Sequence, residues 1–108
     1  MRTDPAAAER AGRVSVWVDL DLPALASVPA GDPAARAALR RRIGAQQDRV
    51  MRSLRELGAE EQARVQQVRN ALAVRLAGAQ LAAARALDGV RALRVVRNIE
   101  RPPPDPQQ

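Results

Sequence analysis

Guanidiniums, carboxylates, amides and one indole are the side chains available for chemistry here, because the sequence contains no histidine, cysteine or lysine. Without histidine or cysteine there is no Ser-His or Cys-His nucleophile pair and no zinc site of the usual ligands. Without lysine there is neither a Schiff base nor a P-loop lysine. The chain is therefore expected not to be an enzyme and to carry no metal or cofactor. What remains is recognition. Trp17 stands inside an alternating segment, RVSVWVDL, and a row of arginines (Arg36, Arg40, Arg41, Arg42, Arg49, Arg52 and Arg55) follows. The formal charge of +6 and a pI near 11.6 suit a polyanion such as nucleic acid, although arginine in place of lysine and abundant alanine are also what compositional bias produces.

The elements that must position these groups follow from periodicity. In residues 13–20, Val14, Val16, Val18 and Leu20 alternate with Arg13, Ser15, Trp17 and Asp19, which predicts a strand with one buried face. Trp17 and Ser15 then lie on the opposite, open side. A Pro-rich loop leads to Asp32-Pro33, a capping residue before a proline at the first helical position. From there Leu39, Ile43, Val50, Met51, Leu54 and Leu57 recur at helical spacing up to Gly58, which fits a C-terminal stop. Residues 60–88 could be drawn as one helix, and an all-helical hairpin is the structural alternative. However, Leu72, Val74 and Leu76 alternate with Ala71, Ala73 and Arg75, which predicts a hairpin with Val65 to Val68 as its first strand and Asn70 at the turn. A short helix in AQLAAARALD ends at Gly89, and a last strand runs from Val90 to about Arg97.

The resulting order, strand-helix-strand-strand-helix-strand, is the α+β, ferredoxin-like β-α-β-β-α-β arrangement, with two helices on one face of a four-stranded antiparallel sheet. One domain is expected over residues 13–99, preceded by a disordered arm (1–12) and followed by a Pro-rich tail (100–108) in which ERPPPDPQQ forbids regular structure. With one aromatic residue the core must be built from Val, Leu, Ile and Ala, so modest stability is expected. No apolar run has the length of a signal peptide core or a membrane span, which implies synthesis in the cytosol if Met1 is the start.

Beyond periodicity, RVSVWVDLDLP, RRRIGAQQDRVMRSL and VRNALAVRLAGAQLAAARALDGVRALRVVRNIERP together resemble the propeptide and inhibitor family of the subtilisin-like serine proteases, over about residues 13–101. The resemblance implies a folding assistant (an intramolecular chaperone) and inhibitor of such a protease. Its open sheet face would pack on two surface helices of the enzyme, and the segment after the last strand would lie in the active-site cleft. On that reading Ser15, Trp17, Asn70, Ala71 and Ala73 face the protease, with Asn70 capping one of its helices. Asn98, Ile99, Glu100, Arg101 and Pro102 occupy the cleft as an added strand. The partner is then the protease, with no membrane and no nucleic acid, and an isolated propeptide would be secreted with its enzyme.

Blander readings stand beside these: Trp17 as an ordinary edge residue, the arginine row as a solvated face, the tail as a disordered terminus. A small basic nucleic-acid-binding domain is the functional alternative. It is weakened by the lack of sheet aromatics on which bases could stack.

Overall fold

A computed structural model describes residues 12–96. Four strands, β1 (Arg13–Leu20), β2 (Glu60–Val65), β3 (Ala71–Ala77) and β4 (Val90–Val96), form one sheet in the order β2-β3-β1-β4. Every pairing is antiparallel. Two helices, α1 (Pro33–Glu56) and α2 (Leu81–Arg85), supply the second layer, and the strand order agrees with a ferredoxin-like arrangement. The arm at 1–11 and the tail from 97, including the residues expected to enter a protease cleft, lie outside the described residues.

The ends of α1 are set locally. The Asp32 carboxylate accepts the Ala35 N–H at 3.0 Å, and Pro33 begins the helix where its missing N–H costs nothing. At the other end Gly58 takes a φ of +88°, so that its N–H reaches the Arg55 carbonyl and the Ala59 N–H reaches the Leu54 carbonyl, at 2.9 and 3.0 Å. That is the paired C-terminal closure that glycine makes cheaply.

Period-two alternation puts Val16, Val18, Leu72, Val74 and Leu76 on the side covered by Val50, Met51 and Leu54 of α1 and Ala84 of α2. A second cluster, Leu25, Leu39 and Ile43, seals the first half of α1 under the loop after β1. Between the two clusters the apolar stripe of α1 is interrupted by Gln46 and Gln47, both buried. Their burial is offset by hydrogen bonds. Gln47 Nε2 donates to the Val65 carbonyl (3.0 Å) and to Asn70 Oδ1 (3.1 Å). Asn70 Nδ2 donates to the Leu22 carbonyl (3.1 Å) and to Gln46 Oε1 (3.0 Å), while Gln46 Nε2 donates to Asp21. No buried side-chain polar atom is left without a partner among the described residues, as a low-dielectric interior requires.

Two boundaries depart from the sequence reading. The first hairpin strand lies at Glu60–Val65 and not at Val65 to Val68, because the leading alternation is carried by charged and polar residues on an edge strand. The second helix is one and a half turns long, preceded by a 3-10 turn at Gly78–Gln80. The last strand begins at Val90, as expected, and is described to Val96; its expected end at about Arg97 lies outside the described residues.

Candidate protein-docking face

Both helices lie on one side of the sheet, and the other side has no covering element among the described residues. The strand register assigns its residues. Trp17 stands opposite Ala73 of β3 and Arg94 of β4; Ser15 opposite Arg75 and Val96; Asp19 opposite Ala71 and Ala92. Ala63 and Val65 extend the same rows onto β2.

Ser15, Ala71 and Ala73 are buried, at 4%, 0% and 2% exposure, so they form the floor of this face and a partner would meet the taller residues around them. Trp17 is half-buried. It shares an apolar depression with Val65, Val68 and the stem of Arg69, and Val68 is 81% exposed. An exposed valine beside an indole is the kind of local apolar surface that binding sites present.

Asn70 does not share this face. Strand alternation places Ala71 and Ala73 on the open side, so Asn70, one residue earlier, turns toward the helices. There its oxygen and both its amide hydrogens are engaged by Gln46, Gln47 and Leu22. Capping a partner's helix is therefore replaced by an internal role: Asn70 ties the β2–β3 connection to α1.

Sequence reasoning missed the charged half of the face. The Arg69 guanidinium lies over the indole of Trp17, 4.8 Å from the ring centroid, and its Nη2 donates to Asp19 Oδ1 at 2.7 Å. Arg94 Nε approaches the other carboxylate oxygen of Asp19 at 3.3 Å. Asp19 and Arg94 were legible as open-face positions from alternation alone. Arg69, by contrast, sits in a connection whose course no periodicity specifies.

The arginines of α1 divide into two groups. Arg55 binds Glu61 at 2.7 Å, and Arg64 of β2 reaches back to Asp48 of α1 at 2.7 Å and to Glu61 at 2.6 Å. Hydrogen bonding from Arg64 holds the Asp48 and Glu61 carboxyls below the usual carboxylate range, and the two carboxylates push Arg64 upward. Arg40, Arg41, Arg42, Arg49 and Arg52 are exposed and make no ion pair with any described residue.

Among the described residues no cluster of acidic side chains could hold a metal ion, and no helix is long and apolar enough to cross a membrane. Comparison with protein-family models, curated proteins and solved structures gives no match for this chain.

Proposed function

We propose that the chain is an inhibitor and folding assistant of a subtilisin-like serine protease, acting by binding and not by catalysis. The observation that carries the reading is the one-sided sheet. Both helices cover one face, while the other carries Trp17, Val65 and Val68 around a floor of Ser15, Ala71 and Ala73. A face that no described element covers, with Trp17 and the exposed Val68 rising above a buried floor, fits two helices of a partner packing against those taller side chains. The element order and the segments quoted above support the same reading. β4 is an edge strand beside the central β1, a position compatible with the following residues entering a partner's cleft as an added strand.

The test is twofold. Full-length protein should inhibit subtilisin stoichiometrically and should raise the yield of active subtilisin recovered from denaturant. If it does neither, and no other subtilisin-like protease is inhibited, the reading is wrong.

The α1 arginines that make no ion pair with any described residue favour a second reading, a nucleic-acid-binding domain. Its test is a salt titration of duplex and single-stranded oligonucleotide binding, which would fall steeply with salt if several phosphates were contacted.

A further inference from the structure

At one end of the open face, where β1 and β4 meet the β2–β3 connection, a cleft of about 390 Å³ is lined by Asp19, Arg69, Arg91 and Arg94, with Ala24 and Val68 at its mouth. Three guanidiniums face one carboxylate. Asp19 is shared between Arg69 and Arg94, whereas Arg91 is exposed and makes no hydrogen bond or ion pair with any described residue. Among the described residues two positive charges are therefore uncompensated. The larger hollow at the β2 edge differs in this respect: its arginines, Arg13 and Arg55, stand beside Glu60 and Glu61, so its charge is balanced.

From this excess we infer that the cleft is a carboxylate-binding site, and that the protein docking on the open face inserts an aspartate or glutamate side chain between Arg91 and Arg94. The inference rests on the open face being a docking surface and adds the chemistry of what docks: an acidic patch. Guanidinium and carboxylate are matched for paired N–H···O contacts, and Asp19, already bridging Arg69 and Arg94, holds two of the three arginines in place before the partner arrives. The adjoining Val68 and Trp17 supply apolar contact that partly desolvates the charges, which strengthens the pair. A second copy of this chain is a poor occupant, since the formal charge of +6 opposes self-association.

Arg69 connects the cleft to a built-in reporter. It touches Asp19 with one nitrogen and lies over the ring of Trp17, the chain's single tryptophan. A carboxylate entering beside Arg91 and Arg94 competes for these guanidiniums and changes the Trp17 environment.

The experiment is a fluorescence titration of the full chain with hexaglutamate, using hexaglutamine and sodium sulfate as controls, at low and at physiological salt. Hexaglutamate is expected to give a saturable change in Trp17 emission that hexaglutamine does not. Arg91→Gln, at an exposed side chain with no hydrogen bond or ion pair to any described residue, should weaken it about tenfold, as loss of a charged hydrogen-bond partner does. Circular dichroism of the variant should be unchanged. No saturable change, an equal response to hexaglutamine, or an undiminished response in Arg91→Gln would overturn the inference. Stronger saturation by sulfate than by hexaglutamate would make the cleft a site for free anions and overturn the partner carboxylate. A concentration-dependent dimer abolished by Arg91→Gln would overturn the choice of occupant. Hexaglutamate binding without inhibition of any subtilisin-like protease would leave the cleft standing and remove the protease. Inhibition without hexaglutamate binding would do the reverse.

Discussion

Arg69 is clamped over Trp17, its guanidinium carbon 4.8 Å from the ring centroid, by the 2.7 Å bond that its Nη2 donates to Asp19. The cation holds the indole on the sheet face that no described element covers, and on the proposed docking reading this pre-ordering lowers the entropy that binding must otherwise spend.

The first prediction concerns that anchor. Trp17→Ala should weaken inhibition of the cognate protease by about 2 kcal/mol or more, the size of a hot-spot truncation. Its effect on folding should be smaller, because the indole is only half-buried. Inhibition assays and thermal melts of the same variant check this. Normal inhibition with a lost thermal transition would assign Trp17 to the fold instead of the interface.

A second prediction concerns the amide network between the two core clusters. Asn70→Ala removes the donor that serves both the Leu22 carbonyl and Gln46 Oε1, and the acceptor for Gln47 Nε2. Buried groups left without partners should cost about 2 kcal/mol or more. Urea denaturation would show this as a lower midpoint with an unchanged slope. An unchanged midpoint would mean that Asn70 is dispensable to the packing of α1.

The turn into β4 supplies a third. Gly89 has a φ of +92°, and a Cβ there would stand 3.3 Å from Gln46 Nε2 and 3.4 Å from a Val50 methyl. Gly89→Ala therefore combines left-handed backbone strain of about 1–2 kcal/mol with a contact against the buried glutamine. The expected result is a clearly lowered melting temperature. Gly44→Ala, in the helix with nothing within 4 Å of the added methyl, should instead be neutral or stabilising.

The fourth follows from the Asp48–Arg64–Glu61 cluster that links α1 to β2. Both carboxyls are held low in the folded state, so the stability they contribute is present above their ordinary range and lost as the pH falls through the depressed values. Arg64→Ala should lower the melting temperature slightly at neutral pH, as exposed pairs do. The difference from the parent should close in strong acid. A difference that persisted there would mean Arg64 acts by packing and not by charge.

The strands of the central pair and the long helix were legible because their burial is one-sided. Val14 to Leu20 and Leu72 to Leu76 alternate, Leu39 to Leu54 recur at helical spacing, and Asp32-Pro33 and Gly58 mark the ends of α1. β2 was misplaced because Glu60, Glu61 and Arg64 on an edge strand carry no apolar signal; their pairing is decided by β3 and by the ion pairs to α1. Trp17 was correctly placed on the open side by alternation. Asn70 was placed with it on the family resemblance, which implies a helix-capping side chain near that turn, whereas Gln46 and Gln47 interrupt the apolar stripe of α1 at the level where a buried amide is needed. Two glutamines at core positions of an otherwise regular stripe were the available sign of that network.

The central claim is tested most directly by the inhibition constant for subtilisin of the full chain beside that of a chain lacking residues 98–108. The account predicts that the full chain blocks the active site, while the truncated chain stays folded and still binds the enzyme but leaves peptide hydrolysis uninhibited. Equal inhibition by both would contradict it.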